Sequence, residues 1–165
     1  IATRYALQRR QFSAPNDEQE VLLLDYLVHQ RRLLPLIARS YALGFAQNEL
    51  ITAMHRIQSS PVDEVDPQEQ RELEGRAAGL KVANTAHATR TIQECREACG
   101  GAGYMAENRL TALRADTDVF TTFEGDNHVL TQLVAKELLT AYADEVRGMS
   151  RSSGCGSRRP RCPTS

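Results

Sequence analysis

Residues 68–98, QEQRELEGRAAGLKVANTAHATRTIQECREA, run for eight turns without a proline, and their reading decides the fold. Ala77, Ala78, Ala83, Ala86 and Ala88 favour helix and let neighbouring backbones approach closely, which sets this helix inside a bundle. Pro67 suits the first helical position, and Gly100, Gly101 and Gly103 terminate the run. A single helix of this length must bury its faces against others.

The flanking segments supply them. Over residues 21–57, Leu23, Leu27, Leu34, Ile37, Tyr41 and Ile51 fall on an alternating four-three spacing, interrupted at Gln30, Gly44, Asn48 and His55. That predicts a long helix with this stripe as its packing face. Pro35 removes a backbone donor and crowds the preceding turn, so a kink, or a break into two helices, is expected near residues 31–34. Ser59-Ser60-Pro61 ends the segment, and the acidic stretch 63–66 is a solvated connection. Residues 1–11 read as the last turns of a longer helix, stopped by Ser13-Ala14-Pro15-Asn16-Asp17. Over about residues 126–146, Leu130, Val134, Leu138 and Ala141 form a core-facing stripe. No segment alternates as a half-buried strand does. The fold class is all-α, an antiparallel helical bundle over residues 1–146. After Glu145 there are no acids, and residues 147–165 read as a disordered basic tail.

The chain has 165 residues, enough for one domain, and a net charge of -1 with both signs interspersed. This balance carries no argument for nucleic acid or an anionic membrane as partner, and none is expected. Arg147, Arg151, Arg158, Arg159 and Arg161 make the tail basic, but no aromatic residue accompanies them for base stacking. No apolar run approaches the roughly 20 residues of a membrane span, and no secretory pattern opens the chain, so it reads as soluble and intracellular. Ile1 is not methionine, and the sequence reads as a fragment. Lys81 and Lys136 are the only lysines among many arginines, which points to a GC-rich bacterial genome. Cys95 and Cys99 share a helical face while Cys155 and Cys162 lie in the tail; all four read as reduced, and no metal site is expected. His29, His55, His87 and His128 are isolated in sequence and read as packing or hydrogen-bonding residues.

Two stretches invite chemistry. Thr122-Phe123-Glu124-Gly125-Asp126-Asn127 sets a glutamate beside a glycine at the head of the last helix. Glu124 is a general base if burial among Phe120, Phe123 and an apolar substrate raises its pKa, or else a helix-start glutamate favoured by the dipole. Cys99-Gly100-Gly101-Ala102-Gly103-Tyr104 follows a helix, not a strand, which rules out a Rossmann loop. It is either a helix stop with left-handed glycines or a loop whose backbone amides meet a cofactor. Arg9 and Arg10 before Gln11-Phe12 offer a guanidinium fork to a phosphate and an aromatic edge to a ring, or sit at a helix C-terminus for its dipole.

Three stretches together, Arg9-Arg10-Gln11-Phe12, the run QECREACGGAGY at 93–104, and residues 120–130, resemble in the right order the helical part of the acyl-CoA oxidases, and more distantly the acyl-CoA dehydrogenases. The likeness extends over about residues 1–146. It implies a flavin enzyme that oxidises acyl-CoA to trans-2-enoyl-CoA, with Glu124 as general base, FAD as cofactor, and oxygen reduced to hydrogen peroxide. By the same likeness Arg9, Gln11 and Phe12 approach FAD from the neighbouring subunit of a homodimer. Gly100, Gly101 and Gly103 meet its adenylate half, while Asp126 and His128 lie near the flavin. Glu-Gly-Asp-Asn, in place of Glu-Gly-Thr, favours the oxidase branch; a dehydrogenase with a protein electron acceptor and a non-catalytic helical dimerisation module are the alternatives. Ser13 and Ala102 depart from the family's pattern, at slots that commonly hold glycine and histidine or asparagine. The resemblance also implies an N-terminal helical domain and a middle β domain outside this sequence, so the chain alone is expected to bind FAD weakly and turn over little. A bacterial cytoplasmic protein is the favoured localisation; a eukaryotic one would be peroxisomal, although the final residues spell no peroxisomal signal.

Overall fold

Asp66 opens the central helix: its carboxylate accepts a hydrogen bond from the Gln68 backbone amide at 2.9 Å, and Pro67 fills the first helical position. The computed structural model describes residues 1–13, 15, 18–61 and 63–153. Its elements are α1 (Ala2–Ala6), β1 (Arg10–Ser13), β2 (Glu20–Leu22), α2 (Leu27–Ser59), α3 (Pro67–Ala98), α4 (Leu110–Asp118) and α5 (Asn127–Ser153), with single 3-10 turns between them. α3 is the hub, as its alanine content predicts. α2 lies antiparallel along one side, with Arg32 paired to Glu94 and Glu97, Ser40 to His87, Gln47 to Asn84 and Arg56 to Glu69. α5 lies antiparallel along another, where a Cβ at Gly79 would meet Val134 and one at Gly75 would meet Glu137, each at 3.5 Å.

The face of α2 differs from the one expected. Leu27, Leu34, Ile37, Tyr41 and Ile51 point away from α3, with Leu27 71% and Tyr41 66% exposed. The inward face is His29, Leu33, Leu36, Ser40, Leu43, Gln47, Leu50 and Ile57, on the same spacing but rotated around the helix. Hydrophobicity selects the wrong stripe because the true one contains polar residues, two of which, Ser40 and Gln47, close hydrogen bonds across the interface to His87 and Asn84. Pro35 does not divide the helix. Leu33, 2% exposed, and Arg32, bridging two glutamates, fasten the turn before it to α3, which offsets the lost donor. On α5, Leu130 and Val134 face inward as expected, while Leu138 is exposed and Glu137 takes the half-buried place against Gly75.

The first eleven residues are not one helix. α1 ends at Ala6, and β1 pairs antiparallel with β2 in a small two-stranded sheet, with Arg10 opposite Leu22 and Ser13 opposite Glu20. No alternation betrays these strands because the register slips between Arg10 and Ser13 and Phe12 takes a positive φ of 61°. The best-buried cluster joins α1, α2, the end of α3 and α4 through Ala2, Ala6, Leu33, Ala98, Cys99 and Leu110. Cys95 and Cys99 are free, and burial pushes both thiols above their ordinary pKa. α5 continues to Ser153, past the end expected near Val146. Residues 154–165, most of the expected disordered tail with Cys155, Cys162, Arg158, Arg159 and Arg161, lie outside the described residues, as do Ala14, Asn16 and Asp17 of the first expected turn.

Candidate functional site

The chain leaves α3 through Gly100, whose φ of 56° is left-handed, and folds as a 3-10 turn over Gly100–Tyr104. Gly103 fixes this turn. A Cβ there would lie 1.9 Å from the Arg96 carbonyl oxygen, so only glycine lets the turn close against the last turn of α3. Cβ atoms at Gly100 and Gly101 would meet nothing within 4 Å, leaving their backbone open. The Asn108 side-chain amide donates to the Ala102 carbonyl at 2.7 Å and closes the far side. The Arg96 guanidinium stacks 4.4 Å from the centre of the Tyr104 ring, with its Nη1 buried and without a partner.

The glutamate turn is built differently. After α4, the Phe123 amide donates to the Val119 carbonyl at 2.8 Å, and Glu124 then takes a φ of 57° and Gly125 one of 111°. A positive φ is uncommon for a residue with a Cβ, and such strain gathers at functional positions. Asp126, not Glu124, caps α5: its Oδ1 accepts from the His128 amide at 2.8 Å and the Val129 amide at 3.4 Å. Lys81 on α3 donates from Nζ to the Gly125 carbonyl at 2.5 Å and to Asn127 Oδ1 at 2.9 Å. One turn along, the Thr85 hydroxyl accepts from Asn127 Nδ2 at 2.9 Å and donates to the Lys81 carbonyl at 2.9 Å. In this chain Glu124 is exposed, as is His128, and Phe120 and Phe123 beside it are about half exposed, at 46% and 55%.

Arg9 to Phe12 sit not at a helix end but at the entry of the small sheet. Arg10 Nη1 donates to the Glu20 carbonyl at 2.8 Å, and the Tyr26 hydroxyl donates to the Gln11 carbonyl at 2.7 Å, while Arg9 stays exposed and Phe12 is 69% exposed. α1, which leads into this sheet, and Ala102 of the glycine turn pack into one cluster, so these two candidate regions share an end of the molecule. The glutamate turn does not. It is anchored at Thr85, fourteen residues before Cys99 on α3, which places it about 20 Å along the helix axis from the glycines. Sequence reasoning missed Lys81, Thr85 and Arg96 and gave Asn127 no structural role. Lys81 alone gave a signal, as one of two lysines among many arginines.

The family model described as "Acyl-CoA oxidase, C-alpha1 domain" matches residues 1–139. "Putative acyl-coenzyme A oxidase 3.2, peroxisomal" of Arabidopsis thaliana is 44% identical over 169 residues, covering 99% of this chain and 24% of the relative. "Peroxisomal acyl-coenzyme A oxidase 3" of Homo sapiens is 41% identical over 150 residues, covering 88% and 21%. Among solved structures, acyl-CoA oxidase-1 of Caenorhabditis elegans complexed with FAD and ATP superposes with a TM-score of 0.81 at 32% identity, over 86% of this chain and 22% of that one. The chain thus spans about a quarter of the length of the relatives it matches. The relatives are eukaryotic and carry peroxisomal names, which overturns the expectation of a bacterial cytoplasmic protein: arginine richness was a poor guide to origin. With matching fold, motifs and family model, the chain belongs to the acyl-CoA oxidase family, in its C-terminal helical region.

Proposed function

We propose that this chain is the catalytic C-terminal part of an FAD-dependent acyl-CoA oxidase, with Glu124 as the base that removes the α proton of an acyl-CoA thioester. The observation that carries the reading is the backbone at Glu124, a non-glycine residue held at a φ of 57° just before a tethered glycine and a capped helix. The cap of α5 is supplied by Asp126, so Glu124 is not spent as the helix cap. The turn leaves an exposed carboxylate one and four residues from Phe123 and Phe120, both about half exposed. Covering those two rings with the rest of a full-length oxidase strips water from the carboxylate and makes it a stronger base.

The residues suit FAD. Gly100 and Gly101 expose backbone that a ligand can reach, Arg96 keeps an unpaired guanidinium nitrogen next to their turn, and Phe12 projects an uncovered ring. Bound there, FAD would supply the two-electron oxidation, taking up the β hydrogen as hydride, with oxygen as final acceptor and hydrogen peroxide as product. Glu124 holds the proton lost from the α carbon, and the product is a trans-2-enoyl-CoA. Gly100, Gly101 and Gly103 serve the adenylate half and Asp126 and His128 the flavin half. The separation of about 20 Å along α3 between the two turns suits a homodimer in which Arg9, Gln11 and Phe12 serve the partner's cofactor. The peroxisome, named for the relatives, is the compartment this reading supports.

In the full-length protein, Glu124→Gln is expected to lower the rate of flavin reduction by acyl-CoA by about 10⁴-fold while FAD stays bound. Turnover that survives the substitution would leave a helical dimerisation module as the better reading. Oxygen consumption with stoichiometric peroxide separates the oxidase from a dehydrogenase, which would form enoyl-CoA rapidly only with a protein or artificial acceptor.

A further inference from the structure

Lys81 spends a half-buried ammonium on neutral groups. Among the described residues it forms no ion pair; its hydrogen bonds go to the Gly125 carbonyl, 2.5 Å away, and to Asn127 Oδ1, 2.9 Å away. Both acceptors belong to the turn that carries Glu124, and α3 is otherwise joined to α5 there by Thr85 through the same Asn127 side chain. Lys81 and Thr85 therefore grip the turn from its far side: Lys81 donates to the backbone carbonyl and the amide oxygen, and Thr85 accepts from the amide nitrogen. The strained residue is the one just before the gripped carbonyl. A glutamate with a φ of 57°, followed by a glycine at 111°, relaxes towards ordinary backbone unless its neighbours hold it. A charged donor on a carbonyl makes a stronger hold than a neutral one.

We propose that Lys81 is the positioning residue for Glu124: its ammonium fixes the Gly125 carbonyl and the Asn127 side chain so that the Glu124 carboxylate keeps one direction. This inference rests on the reading of Glu124 as the base. In this role Lys81 acts through the turn and not by contact with substrate or cofactor. Its effect is on how often the carboxylate is in line with the α carbon, so it acts on the chemical step and leaves binding of acyl-CoA alone.

The test uses the full-length protein with FAD bound and butyryl-, octanoyl- and palmitoyl-CoA as probes, following flavin bleaching without oxygen in a stopped-flow instrument. Lys81→Met is expected to lower the limiting rate of flavin reduction by about 100-fold, with the half-saturating acyl-CoA concentration within about threefold of the parent and the flavin spectrum and FAD content unchanged. A limiting rate within about threefold of the parent overturns the inference. So does a loss that comes wholly with FAD release from a folded protein, which would make Lys81 a mere strut between α3 and α5. Should Lys81→Met fail to fold, Asn127→Ala, which keeps the ammonium and cuts its second anchor, is expected to slow reduction by about tenfold at unchanged saturation, and an unchanged rate again overturns it. Glu124→Gln is run beside them. If it still reduces flavin, the base reading has failed; if it does not while Lys81→Met does, only the positioning role has failed.

Discussion

The two turns that carry the candidate site are held by opposite means. The glycine turn after α3 is self-contained: Gly103 packs on Arg96, seven residues earlier, and Asn108 closes on Ala102 within the same connection. The glutamate turn before α5 borrows its shape from Lys81 and Thr85, some forty residues earlier in the chain. A turn of the first kind takes its shape from residues near it in sequence, although Ala102 also packs on the cluster that joins α1, α2 and α4. A turn of the second kind is only as rigid as the α3 to α5 contact, so its geometry is coupled to the packing of the bundle and to whatever covers it.

The largest stability effect should come where the first turn leaves no room. Gly103→Ala sets a Cβ 1.9 Å from the Arg96 oxygen and 2.8 Å from its carbonyl carbon, and backbone cannot rotate aside as a side chain can. The turn must move off α3, and a loss of about 3 kcal/mol or more is expected in denaturant unfolding. A melt unchanged within error would show that the turn is not locked by this contact, and the contrast between the turns would vanish.

Gly125→Ala tests the borrowed turn and should cost less, about 1 to 3 kcal/mol. Its φ of 111° suits glycine alone, yet the new Cβ meets only the Leu130 side chain, at 3.2 Å, which can yield. Loss of flavin reduction beyond what that destabilisation explains would show that the turn's geometry, and not merely its presence, serves the reaction. Equal losses in both would reduce the turn to a connector.

This difference also decides what was legible beforehand. Gly100, Gly101 and Gly103 announced their turn because the reason for glycine is local, and Pro67 and the alanines of α3 announced the helix for the same reason. The role of Lys81 was hidden because its partners lie far along the chain. So was the buried face of α2, where Gln47 is half-buried against Asn84 and Ser40 reaches His87 on α3, contacts that no local pattern announces. The strands at Arg10–Ser13 and Glu20–Leu22 were missed because a slipped register leaves no alternation to read.

Those inward polar residues give the packing its own response to pH. Burial first, then the Arg39 and Arg90 charges, holds His87 below its ordinary pKa of 6.5, and burial followed by Arg32 does the same for His29. Both are bases favoured neutral in the fold, so their contribution is complete above about pH 6.5 and is lost as pH falls through that value towards the lowered folded ones. The denaturation midpoint should drop between pH 7.5 and 5.5, and His87→Gln should flatten the slope. Because the glutamate turn hangs on α3 packing, protection of the Gly125 to His128 amides from exchange should weaken over the same range, while the glycine turn should hold. Parallel loss at both turns would mean that they are not mechanically distinct.

The smallest effect on stability is expected at Gly101, and it is the sharpest test of why that glycine is there. A Cβ at Gly101 meets nothing within 4 Å, and its φ is not in the positive region, so Gly101→Ala should leave stability within about 0.5 kcal/mol of the parent. Gly103 is required by the protein's own backbone; Gly101 is not. If the open side of the turn lies against FAD, the added methyl must push the cofactor away, and the dissociation constant of the full-length protein for FAD should rise by about tenfold or more with the melt of the apoprotein unchanged. An unaltered affinity would mean that the open face of the turn meets solvent, and that the cofactor is held by the other candidate residues instead.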